Sequence, residues 1–181
     1  AFTPVLMGMS GWSSNARKHP WWYDEPYRSI NRDYLKLKMR LTPYMYGLVH
    51  EAAQTGAPPV RGLMWDNPRD PHAQDETYKY QFLLGRDLLV APVYRSQAAS
   101  RGWRRDIHLP AGGWTDYWDG RRVQAGAAGR QLDRQVDLAP LPVVLRAGPV
   151  LPTSPSMLFD GAEPPAAVTF DLYPPAAAQY T

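Results

Sequence analysis

The sequence contains no cysteine. Disulfides, thiolate metal sites and a cysteine nucleophile are therefore excluded, while the compartment stays undecided. Charge of one sign is scarce. Twenty basic side chains face 17 acidic ones, a formal +3, and the excess is scattered, so the sequence argues against a nucleic-acid partner. No apolar run approaches the ~18 residues of a membrane helix. Gly126 and Gly129 match neither nucleotide-binding fingerprint. His19, His50, His72 and His108 have no metal-ligand spacing, so no metal or other cofactor is expected. Nothing resembling a signal peptide or leader precedes the apolar residues after Ala1, and the sequence reads as one that opens inside a fold.

Apolar residues make up 44% of the 181, enough for a core. Nineteen prolines and 14 glycines exceed the roughly 12% average share of these two residues. Seven Trp, 11 Tyr and 4 Phe accompany them. Prolines and flat aromatics together suit a loop-rich fold, a carbohydrate-binding face or an ordinary β-sandwich core.

Phe2 to Met9 read as a buried strand, and Ser10 to Pro26 as a loop holding Trp12, Trp21, Trp22 and Tyr23. The spacing of Ile30, Tyr34, Leu37, Leu41, Met45, Leu48 and Ala52 predicts a long helix. Its solvated face would carry Arg32, Lys36, Lys38 and Arg40. Pro43 should kink or divide it, and Gly56 should cap its end. Val60 to Trp65 read as a second strand, Asp66 to Asp75 as a loop, Thr77 to Gly85 as helical, and Asp87 to Val93 as a third strand. Beyond Pro92 the pattern turns to β, with no convincing helix. Runs near 104–109, 114–118, 136–138, 143–146 and 168–172 are separated by Gly and Pro turns, as in a β-sandwich. The expected division is therefore 1–92, alternating strand and helix; 93–173, all β; and a tail, 174–181, that looks truncated.

Several motifs in order resemble glycoside hydrolase family 31, the retaining α-glucosidases, α-xylosidases and their relatives. They begin with Phe2-Thr3-Pro4 and the helical Leu41-Thr42-Pro43-Tyr44-Met45-Tyr46, followed by Glu51-Ala52 and Gly56 with Pro58. Arg61-Gly62-Leu63, running to Pro68-Arg69-Asp70, is similar to the family's last barrel strand and its loop. Gly85 with Leu88-Leu89-Val90-Ala91-Pro92-Val93 looks like the exit from the barrel. Leu109 to Trp114 with Asp116, and Pro142 to Gly148, resemble the sandwich that follows. The resemblance spans about residues 2 to 152. It implies the C-terminal portion of a (β/α)8 barrel (1–92) followed by a proximal β-sandwich; strand–helix alternation alone does not show a barrel.

It also implies a carbohydrate substrate and two catalytic aspartates on barrel strands preceding Phe2, so no catalytic residue is assigned here. Asp66, Asp70, Asp75 and Asp87 are expected to cap loops or sit on the surface. Many family members carry an Arg and a sugar-binding His where this sequence has Met7 and Met9. A thioether cannot donate as imidazole does. These two methionines are either contacts for a bulkier sugar substituent, such as a 2-acetamido group, or wall residues of the barrel. Trp12 and Trp65 are the candidates for stacking on a sugar, with packing as the alternative for each. Trp21 and Trp22 are expected to divide between core and surface, His50 to lie on the surface, and Arg61 and Arg146 to pair with carboxylates between the two parts. The default activity is α-glucosidase-like. The alternatives are an α-N-acetylhexosaminidase-type specificity, or a non-catalytic carbohydrate-binding module, against which the long Pro-Tyr-x-Tyr helix speaks.

Overall fold

The computed structural model describes residues 1–6, 19–155 and 167–175. The helical stripe forms two helices, α1 (Tyr27–Arg40) and α2 (Thr42–Thr55), with Leu41 between them. Pro43 has no N–H to donate to the carbonyl four residues back and its ring crowds that carbonyl, so the helix must restart. At the second position of α2 the missing donor is harmless. Leu41 is fully buried, and its N–H still reaches the Leu37 carbonyl. Gly56 caps α2 at φ 75°, a conformation that costs a residue with a Cβ.

Lys38 departs from the expected solvated face. Its ammonium donates to the carbonyls of Thr3 (2.5 Å) and Pro4 (3.1 Å), and burial lowers its pKa. It ties the first residues of the chain to α1. Phe2 is buried beside them, but the buried strand expected over Phe2 to Met9 does not form in its described part. Residues 3–6 are irregular, with Val5 and Leu6 exposed, because the Thr3 and Pro4 carbonyls bond Lys38 and not a neighbouring strand. Residues 7–9 lie outside the described residues.

Among the described residues ten strands follow: β1 (Val60–Arg61), β2 (Phe82–Leu84), β3 (Leu88–Val90), β4 (Trp103–Leu109), β5 (Gly112–Asp116), β6 (Arg122–Ala125), β7 (Arg130–Gln135), β8 (Val143–Arg146), β9 (Val150–Thr153) and β10 (Thr169–Leu172). Six form an antiparallel sheet in the order β1-β2-β3-β8-β5-β6, while β4 pairs with β7 and β9 with β10. Alternate residues leave opposite faces of a strand. Leu84, Leu88, Val90, Val143 and Leu145 accordingly join Leu37, Leu41, Tyr44 and Leu48 of the helices in one core. Leu83, Leu89, Ala91 and Val144 join Ile107, Leu109 and Trp114 in a second. The sheet is covered on both faces, which is why β3 and β8 read as continuous apolar runs.

The expected division at residue 92 cuts this sheet: β3 precedes it and is hydrogen-bonded to β8, which follows it. The sandwich thus begins with β1, and Arg61 is no barrel strand, since barrel strands run parallel and β1 pairs antiparallel with β2. Four further expectations are corrected. The strand expected over Val60 to Trp65 stops at Arg61 and turns into α3 (Leu63–Asp66), because the Asn67 backbone and side-chain amides both donate to the Leu63 carbonyl. The helix expected over Thr77 to Gly85 is only a 3₁₀ turn, Glu76–Tyr78, capped by Asp75; pairing with β1 and β3 claims Phe82–Leu84. The strand expected at 136–138 lies earlier, in polar β7, whose partner β4 supplies the order. One helical turn, α4 (Gln97–Ser100), exists beyond Pro92 because Ser96 caps it.

Candidate functional site

Arg61 is the hub from which the site is built. Its Nε donates to the Pro58 carbonyl (2.6 Å), its Nη2 to Glu51 of α2 (3.1 Å) and its Nη1 to both oxygens of Asp66 on α3. A buried guanidinium needs such partners on every side, and here they join α2, β1 and α3. Arg86 lies at the rim of the same carboxylates. Arg61 therefore pairs with carboxylates, but with two that lie on its own side of the expected division at residue 92 and not across it. Arg146 does not: it donates to Asn67 Oδ1 and the carbonyls of Arg86 and Ala111, and stacks over Trp114 at 4.7 Å.

The same short helix that supplies Asp66 also carries Met64 and Trp65, each about half exposed (51% and 54%). The Trp65 N–H closes the turn on the Gly62 carbonyl (3.1 Å). A half-exposed indole on a hydrogen-bonded turn offers a broad flat face, the kind of surface on which a sugar ring stacks. A depression of about 270 Å³ is lined by Gly62, Met64, His72, Asp75, Tyr78 and Gln81 among others, and Trp65 is not part of its lining.

Asp70 and His108, 38 residues apart, meet next to that depression at 2.8 Å, both nearly buried. Asp70 also accepts the His72 N–H, and Gln81 clamps the His108 backbone by its N–H and its carbonyl, each at 2.8 Å. Asp70 is thus a buried strut between the loop after Trp65 and β4, more than a surface cap. The short-range half of this arrangement, an Asp accepting the N–H two residues on, has a sequence signal in Asp70-Pro71-His72; the long-range half has none. Asp75 does cap, and the Thr77 N–H it accepts holds its carboxyl below the usual range. Burial raises the Asp87 carboxyl.

Met7, Met9 and Trp12 lie outside the described residues. Trp21 and Trp22 are both exposed rather than divided between core and surface; His19 stacks flat on Trp21 (4.6 Å, 3°) and meets Trp22 edge-on. The 3₁₀ turn that carries them, Pro20–Trp22, is held to α1 by Asn31, whose amide donates to the Pro20 carbonyl. His50 is exposed and bonded to Gln54. Among the described residues no group of three His, Asp or Glu could hold a metal, and no helix is long and apolar enough to cross a membrane. Asp66 is committed to Arg61, Asp70 to His108 and Asp75 to the Thr77 N–H.

Comparison with known proteins agrees with this architecture. The model of the "Glycosyl hydrolases family 31 TIM-barrel domain" matches residues 1–48, and that of the "Glycosyl hydrolase family 31 C-terminal domain" matches residues 56–151. Alpha-glucosidase 2 of Bacillus thermoamyloliquefaciens is 32% identical over 150 residues, covering 82% of this chain and 18% of that protein. A 1,6-alpha-glucosyltransferase of Sporosarcina globispora is 29% identical over 174 residues, covering 96% and 13%. A family 31 dextranase of Flavobacterium johnsoniae, solved with glucose, superposes with a TM-score of 0.79 at 30% identity, covering 89% of this chain and 19% of its own. The chain thus spans less than a fifth of the length of each of these relatives. With the two family models matched in order and a described fold that joins them, the chain belongs to glycoside hydrolase family 31.

Proposed function

We propose that these residues form the end of the catalytic barrel and the adjoining sandwich of a retaining α-glycosidase that releases terminal α-linked glucose-like sugars from oligosaccharides. Two carboxyl groups about 5–5.5 Å apart carry such a reaction, one attacking the anomeric carbon and one protonating the leaving oxygen. Both aspartates come from barrel strands before Phe2. This chain's part is to close and brace the barrel and to line the sugar cleft with Met7, Met9, Trp12 and Trp65. The observation that carries the reading is the seam itself. The Tyr44 hydroxyl, in the barrel match, donates at 2.8 Å to the Leu84 carbonyl, in the sandwich match, so one core spans both. The relatives named above include a glucosidase and a glucosyltransferase, and transfer to a sugar hydroxyl in place of water uses the same first step.

The test is a panel of aryl α-glycosides on a protein that carries these residues with a complete family barrel, with Trp65→Ala beside it. Cleavage of α-glucosides with retained anomeric configuration is expected, and a roughly tenfold higher KM in the variant, from the loss of about 1.4 kcal/mol of stacking. Preference for α-N-acetylhexosaminides would move the assignment to the specificity that the two methionines suggest. No cleavage of any α-glycoside would remove it.

A further inference from the structure

A second aromatic concavity lies between α1 and the sandwich, lined by residues unrelated to Trp65. Its wall is Trp118, 40% exposed and held from several sides. The indole N–H donates to the Leu141 carbonyl at 2.8 Å, and its backbone N–H to buried Asp116, which also pairs with Arg134. Tyr117 meets it edge-on at 4.9 Å, and so does Tyr34 at 6.2 Å. Tyr34 is itself pinned, since its hydroxyl accepts the Leu141 N–H at 2.8 Å. With its N–H satisfied inward, Trp118 shows the outside only a fixed ring surface.

The concavity measures about 820 Å³, inside the roughly 300–1,000 Å³ range of ligand clefts. Its lining includes Asp33, Lys36, Arg40 and Asp171, two charges of each sign, together with Tyr117 and Tyr173. Among the described residues, no hydrogen bond engages the side chains of Arg40, Asp171, Tyr117 or Tyr173. Balanced charge disfavours a phosphate or any other strongly ionic ligand. Unspent donors and acceptors disfavour a purely apolar one. What remains complementary is an uncharged, polyhydroxylated ring. Its C–H face would lie on the indole and its hydroxyls would bridge Arg40 and Asp171, the charge-assisted pairing that carboxylate and guanidinium provide.

We propose that the groove between α1 and the Tyr117–Trp118 turn is a non-catalytic oligosaccharide-binding site, which holds a segment of a glucan chain at the seam of barrel and sandwich. The proposal takes its sugar class from the function proposed above, and is tested so that the two fail separately. A protein carrying these residues with the complete barrel is run through native gels containing dextran or soluble starch, its catalytic cleft saturated with a monosaccharide inhibitor. Trp118→Ala and Asp171→Ala are compared with the parent, and thermal melts check that each is folded. Asp171 is the safeguard, since it is not among the residues that form or pack on the hydrophobic core. Retardation by at least one glucan in the parent is expected, with a dissociation constant about tenfold weaker in both variants and an unchanged rate on a small aryl α-glucoside. Equal retardation of the parent and Asp171→Ala overturns the proposal, as does an unretarded parent. An inactive parent that is still retarded in a Trp118- and Asp171-dependent way overturns the catalytic reading and leaves the groove standing.

Discussion

The guanidinium of Arg61, with 1% of its side chain exposed, lies 3.1 Å from the carboxylate of Glu51 and 3.3 Å from that of Asp66. One buried cation thus joins the last helix of the barrel match to the first strand of the sandwich match. Arg61→Ala would leave two carboxylates facing each other with only exposed Arg86 between them. Breaking a buried pair from one side costs about 3–5 kcal/mol, and urea midpoints should fall accordingly. Glu51→Gln keeps the Asp66 partner and should cost much less. Equal losses in the two variants would show that Arg61 matters for its packing and not for its charge.

Alkali should unfold the protein through its tyrosines. Burial raises the phenols of Tyr44, Tyr34 and Tyr117 above their ordinary value of 10.0 and pushes Tyr173 up to about 12. A raised pKa means that the folded state holds its proton more tightly. Below pH 10 both states are protonated and these groups confer no pH dependence. Above it the unfolded chain releases protons that the folded chain keeps, so stability should fall steadily between about pH 10 and pH 12. Phenolate absorbance should show the buried tyrosines appearing together with loss of structure. Ionisation of all of them near pH 10 in a still-folded protein would contradict the burial.

Gly129 should not tolerate a side chain. It sits at φ 75°, and a Cβ there would come within 2.3 Å of His108 Cε1 and 2.7 Å of the Leu109 carbonyl. Neither neighbour can retreat, because Gln81 and Asp70 hold His108 in place. Gly129→Ala should therefore cost about 1–3 kcal/mol from steric overlap, with a lowered melting temperature as the measure. Gly126→Ala, which meets nothing within 4 Å, is the control.

The 181-residue chain by itself should not hydrolyse α-glucosides, since the two aspartates of the proposed reaction belong to barrel strands before Phe2. It should also self-associate. Tyr46 on α2 is 75% exposed and Val49 on the same helix 49%, and such apolar faces seek cover. Size-exclusion chromatography and an aryl α-glucoside assay check both expectations; a monodisperse, active monomer would refute them together.

Local rules carried much of the fold. Period-three-and-four spacing showed the helices, Pro43 their division and Gly56 their end. The apolar runs at Leu88 and Val143 showed the two central strands, because burial on both faces leaves a dense local signature. The motif order, read as a resemblance, showed the family. Tertiary structure decided the rest. Phe82–Leu84 is strand and not helix because β1 and β3 flank it. Polar β7 has too little hydrophobic pattern to announce itself and forms only against β4. The boundary near residue 92 looked sound because composition changes there, yet hydrogen bonding between β3 and β8 joins what composition separates. Asp70 with His108, Arg61 with Glu51 and Asp66, and Trp118 with Tyr34 are contacts that chain folding creates, and spacing along the sequence does not encode them. The sequence by itself determined which segments could be helix or apolar strand, since those choices depend on neighbours a few residues away. Only the tertiary structure decided which charges were buried together and which aromatic faces were left to solvent, since those depend on residues that are distant until the sheet closes.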